Sequence, residues 1–139
     1  MSRTLLRVAA GFTALFGIGH GFGATHPMRE GARGAVVLAM QNVSFEIFGS
    51  TRTYWDFYEG YGYTLIAVAF FLAALLWLLS LRPIAQVRDI AFLTAAVQLA
   101  IAVLAFNYFF WAPGAFNTIA AGCTLVAAAL PWSGAASLR

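Results

Sequence analysis

Residues 63–81 read YTLIAVAFFLAALLWLLSL, nineteen positions without a charge. As a helix rising about 1.5 Å per residue, this stretch approaches the ~30 Å thickness of a bilayer's hydrocarbon core. In lipid every backbone amide must find its partner inside the protein, so an apolar run of this length is read as a spanning helix. Runs at 5–22, 90–111 and 115–132 are similarly apolar, the first interrupted by Arg7. The expected fold class is therefore all-α: an integral membrane four-helix bundle, with the whole chain 1–139 as a single transmembrane domain.

Composition agrees. Of 139 residues 62% are hydrophobic and only 9% charged, far from a soluble globular balance. The eight basic residues are all arginines, and the net charge is +3. They are dispersed, with Arg3, Arg7, Arg82, Arg88 and Arg139 at the ends of apolar runs, where a guanidinium reaches the headgroups. A nucleic-acid partner is excluded on this pattern. The single cysteine, Cys123, lies within an apolar run and offers neither a disulfide nor a thiolate metal cluster. The first run is expected to be retained as a helix, because Arg7 intrudes late and the residues ending at Ala24 make a poor signal cleavage site.

Alternating the four helices puts the arginine-tipped termini and the 82–88 connection on one side, expected to be cytoplasmic. Segment 23–62 then lies outside. It carries Glu30, Glu46, Asp56 and Glu59 against Arg29, Arg33 and Arg52, four acids to three arginines, which leaves −1. Residues 111–114, Trp-Ala-Pro-Gly, are expected to form a tight outer turn.

Within the outer segment, 35–48 is apolar enough to enter the membrane and too short to cross it, so an additional short interfacial or re-entrant helix is expected. On such a helix Asn42 and Glu46 share a face, while Val36, Met40, Val43 and Ile47 form an apolar stripe. Ser50, Thr51 or Thr53 can cap a new helix, with Asp56 three residues after Thr53 at capping-box spacing, and this helix is expected to run directly into the second span.

Candidate chemistry concentrates here. If 52–63 is helical, Arg52, Asp56, Glu59 and Tyr63 form one continuous stripe. Two carboxylates a turn apart beside a cation can serve as an acid/base pair, or simply as an ion-pair network that fixes the helix. Glu46, flanked by Phe45, Ile47 and Phe48, is a proton-handling candidate if that segment is embedded and a solvated carboxylate if it is not. His20 and His26 approach the same region but match no local metal-ligand spacing, and no metal or cofactor is assigned. Asn107 and Asn117 can complete a polar cap, and mid-span Gln98 is expected to make an interhelical hydrogen bond. Aromatic residues crowd the outer side, including Trp55, Tyr58, Tyr63 and Trp111. An interfacial belt accounts for many of them, and aromatic walls beside a few polar groups also suit a flat lipophilic ligand. Overlapping small-residue spacings, Gly17 to Gly21 and Gly19 to Gly23, permit close helix packing within the chain or a homodimer.

The opening helix, Leu6-Arg7-Val8-Ala9-Ala10-Gly11-Phe12 followed by Gly19-His20-Gly21, resembles that of DoxX-like small membrane proteins. The resemblance implies a four-helix bundle sometimes associated with redox enzymes or respiratory partners, and the expected location is a bacterial inner membrane. In outline the chain is also similar to sterol-isomerase-like bundles, in which acids in a lipid-facing cavity handle protons. The expected function is an outer-face, aromatic-lined polar pocket for a lipophilic small molecule such as a quinone, sterol or isoprenoid, with membrane lipid around it. Acid/base isomerisation or hydration would use Glu46, Asp56, Glu59 and His20. Arg52, Trp55, Tyr58, Tyr63, Asn42, Asn107, Trp111 and Asn117 would bind the ligand. The alternative is a non-catalytic subunit of a larger membrane complex.

Overall fold

A computed structural model describes residues 1–26 and 30–130. The chain is mostly helical: α1 (Ser2–Thr25), α2 (Gly31–Asn42), β1 (Ser44–Ile47), β2 (Ser50–Thr53), α3 (Tyr54–Ser80), α4 (Ile84–Tyr108) and α5 (Trp111–Ala129). Four of the helices, α1, α3, α4 and α5, are long and apolar enough to cross a membrane. The chain is a multi-pass membrane protein by that measure. Arg29, Pro131, Trp132 and Arg139 lie outside the described residues.

The chain forms two compact units, one of residues 1–16 and 69–139, the other of residues 17–68. In the first, α1, α3, α4 and α5 meet around Leu6, Ala9, Leu76, Leu79, Ala91, Ala120 and Ala127. Alanine dominates because helices in lipid gain little from burying apolar bulk and associate instead through close van der Waals contact between small side chains. On α4 the buried positions include Ala91, Ala95, Gln98, Ala102 and Ala105; on α5 they include Gly114, Asn117, Ala121, Thr124 and Ala128. Both series step by three and four, the spacing of a coiled-coil seam.

Polar residues join this core. Gln98 donates from Nε2 to Thr13 Oγ1 at 2.8 Å and accepts at Oε1 from Thr124 Oγ1 at 3.3 Å. The expected interhelical bond is thus a bridge of α1, α4 and α5. At the arginine-bearing end, Arg88 donates from Nη2 to the carbonyl of Leu130 at 3.0 Å, just past α5. Arg88 lies inside α4 rather than in the connection before it, since Pro83 is the N-cap and the helix starts at Ile84.

Two expectations are corrected. Residues 111–114 are the first turn of α5 and not the bend, which is the two-residue connection Phe109–Phe110. Proline is tolerated there because the first-turn amides have no intrahelical acceptor to lose. The short helix also differs in extent. It ends at Asn42, and residues 43–48 enter an antiparallel hairpin in which Ser44 pairs with Thr53, Phe45 with Arg52, Glu46 with Thr51 and Ile47 with Ser50. Val43, Phe45 and Ile47 also alternate with period two, and threonine-rich 50–53 is better suited to a pleated strand than to a helix.

Candidate functional site

The second unit holds most of the candidate residues. Its local framework begins with Thr53, which caps α3: Thr53 Oγ1 accepts from the Asp56 amide at 3.1 Å, and Asp56 Oδ2 accepts from the Thr53 amide at 2.7 Å. This is the expected reciprocal capping box, and it satisfies two amides at the helix start. From there α3 continues without a break into its apolar length, as the sequence predicts.

The hairpin is seated on the start of α3 by aromatic contacts. Phe45 of β1 lies 5.0 Å from the Tyr54 ring and 5.5 Å from that of Phe57, centroid to centroid. Phe57 in turn meets Tyr61 edge-on at 6.2 Å, and buried Trp55 stacks on Tyr58 at 5.1 Å. Elsewhere in this unit α1 and α3 approach closely, and a Cβ on Gly62 would stand 3.3 Å from that of Ala24. His20, half-buried on α1, engages the backbone of Gly62.

Beside this aromatic chain lies a shallow concavity of about 300 Å³, lined by Arg52, Asp56, Phe57, Gly60, Tyr61 and Thr64. The last five share one face of α3, at helical offsets zero, one, four, five and eight from Asp56. Gly60 leaves the floor open, for a Cβ there would meet nothing within 4 Å. The concavity has a charged end, Arg52 and Asp56, and an aromatic wall, Phe57 and Tyr61. No protein-family model, curated protein or solved structure matches the chain.

Arg52 and Asp56 come together, but not along a helix. Arg52 belongs to β2 and donates from Nη1 to the Thr51 carbonyl at 2.9 Å, so the expected four-residue stripe reduces to Asp56, Glu59 and Tyr63 on α3. Glu59 is half-buried and does not line the concavity, while Tyr63 and Tyr58 are exposed. Glu46 and Asn42 do not share a helical face, because α2 ends at Asn42. Glu46 stands exposed on β1 and accepts a hydrogen bond from Thr51 Oγ1 across the ladder. His26 is held locally, with Nδ1 3.0 Å from Thr25 Oγ1 and its ring stacked on Phe22 at 4.4 Å. Among the described residues no three potential ligands converge to hold a metal ion.

Asn107, Trp111 and Asn117 belong to the other unit. The Asn107 amide bonds back to the Val103 carbonyl at 2.7 Å, and Trp111 is exposed. Asn117 is fully buried and donates to the Pro113 carbonyl at 2.9 Å. Phe57 and Tyr61, two of the outer-side aromatics expected to wall a ligand site, line the concavity, as do Gly60 and Thr64, which are not marked as ligand contacts by sequence. A joint signal is present in it: after Asp56, two aromatic residues flank a glycine at spacing that keeps all of them on one helix face.

Proposed function

We propose that the chain binds a lipophilic molecule with a polar head, of the quinone, sterol or isoprenoid class, in the concavity at 52–64. The observation that carries this reading is the pairing of charge and aromatic wall along one helix face: Arg52 and Asp56 at one end, Phe57 and Tyr61 beside them, Gly60 leaving room between. A flat apolar body would lie on the rings while its head meets the charged end. Binding is favoured over acid/base chemistry. Asp56 is engaged by the Thr53 amide, and Glu46 is occupied by Thr51. Isomerisation or hydration would need a carboxyl aimed at the substrate, for which Glu59 is the remaining acid on this helix.

A second reading, a non-catalytic subunit of a larger membrane complex of the respiratory or redox kind, is favoured by α2, which has no buried residue and exposes Val36 and Leu38. In either case we place the termini on the cytoplasmic side of a bacterial inner membrane. The arginines at 3, 7, 82 and 88 and the net negative 23–62 segment support that orientation.

The test uses photoreactive, clickable quinone, sterol and isoprenoid probes on the protein in liposomes, with adducts mapped by peptide mass spectrometry. The expected result is saturable labelling concentrated in 52–64 by one probe class, abolished by Gly60→Leu, which fills the floor. Labelling spread evenly over the lipid-facing helices and indifferent to Gly60→Leu would overturn the binding reading. A stoichiometric protein partner recovered in mild detergent would then favour the subunit.

A further inference from the structure

Two arginines of the first unit converge on one residue. Arg3 donates from Nε to the carbonyl oxygen of Ser80 at 3.1 Å, and Arg7 donates from Nε to Ser80 Oγ at 3.5 Å. Ser80 is itself fully buried, with its hydroxyl turned to the Trp77 carbonyl at 2.6 Å. The Arg7 guanidinium carbon lies 4.9 Å from the centroid of half-exposed Trp77, a cation–π arrangement. Arg3 and Arg7 are four apart on α1, so the two cations sit on one face of the helix.

This arrangement is one-sided in charge. Both guanidiniums are exposed, and each uses only its Nε in the hydrogen bonds formed among the described residues. No carboxylate of a described residue pairs with either, and Asp89 is the one acid of this unit. Two like charges held at one serine repel each other unless an anion lies between them. Serine fixes the Nε edges, which leaves the Nη donors in the fork geometry that matches phosphate oxygens. The ends of spanning helices lie at headgroup depth, and a tryptophan beside them is the usual anchor at that level.

We propose that Arg3 and Arg7 form a binding site for the phosphate of an anionic phospholipid, with Ser80 orienting the two guanidiniums and Trp77 flanking the headgroup. The site is separate from the concavity at 52–64 and does not depend on what that concavity binds.

Native mass spectrometry of the detergent-purified full chain, titrated with phosphatidylglycerol or phosphatidylcholine, tests it. The wild type is expected to retain phosphatidylglycerol roughly tenfold more strongly than phosphatidylcholine, and Arg3→Gln or Arg7→Gln to lose about tenfold, as befits one charge-assisted contact each. Arg33→Gln removes an equal charge in the other unit and is expected to leave retention unchanged. Equal retention of the two lipids by the wild type would overturn the proposal, with or without a folded variant. So would wild-type retention in both glutamine variants, or an equal loss in Arg33→Gln. Displacement of the lipid by excess inorganic phosphate would reject the phospholipid as the source of the anion.

Discussion

The ring of Phe106 lies so close to Gly114 that a Cβ on the glycine would stand 2.6 Å from Cε1, well inside any real contact. Glycine at this position serves the approach of α4 to α5 across their two-residue connection, not a sharp bend. Gly114→Ala should therefore force the Phe106 ring aside, and because that ring is more than half exposed and can swing outward, the cost should be about 1 kcal/mol, at the low end of overpacking. Gly122, exposed on the same helix with nothing within 4 Å of a notional Cβ, is the control. Gly122→Ala should be neutral or slightly stabilising, since alanine is the better helix former. Thermal unfolding in detergent, followed by circular dichroism, separates the two; equal melting temperatures would contradict the close approach.

Gln98 offers a second measurement on the same unit. Its amide is fully buried and links Thr13 to Thr124. Interhelical hydrogen bonds in membranes have measured couplings averaging about 0.6 kcal/mol and reaching ~1.7 kcal/mol. A double-mutant cycle between Gln98→Leu and Thr13→Val should return a coupling in that range. A coupling indistinguishable from zero would mean that the bridge contributes shape rather than bonding.

How much of this was legible in the sequence depends on which physical signal each element carries. The spanning helices are readable because about twenty largely apolar residues in a row have few other uses. The capping box is readable because Thr53 and Asp56 need only local spacing to find each other. The hairpin is not, because Val43 and Ile47 satisfy both the helical and the alternating period, and the choice between them turns on a positive φ at Phe48 that a bulky residue does not advertise. The misplaced Arg52 follows from that same choice, since a residue on β2 cannot extend the α3 stripe. Gly114 is obscure in the sequence for a different reason: whether a glycine serves a bend or a close approach depends on what faces it, and Phe106, though near in the chain, leaves no mark in the local pattern.

The cap and the concavity share Asp56, and mutations can separate the two roles. Thr53→Ala removes the hydroxyl that accepts from the Asp56 amide without touching a lining residue, and should lower stability by about 1 kcal/mol, as loss of an N-cap does. Probe labelling at 52–64 should survive it. Tyr61→Ala should do the reverse, keeping the cap and the melting temperature while weakening labelling several-fold. If both variants lose labelling in proportion to stability, the charged end of the concavity is only a structural cap.

Phe48 provides a test of the hairpin tip. It is fully exposed and has φ of 47°, followed by Gly49 at 76°, the two left-handed positions of a two-residue turn between paired Ile47 and Ser50. A bulky side chain is disfavoured in that backbone region, whereas asparagine and glycine tolerate it. Judged by the fold alone, Phe48→Asn should raise the melting temperature by a few degrees or leave it unchanged. If this exposed ring is kept at a strained tip in order to enter a lipid surface, liposomes and lipid-free detergent should distinguish the variant. The same variant should then weaken that contact, read as faster hydrogen exchange at 44–53 in liposomes but not in detergent lacking lipid. A drop in melting temperature in detergent would show instead that Phe48 packs within the protein, and the tip would then have no external role to explain.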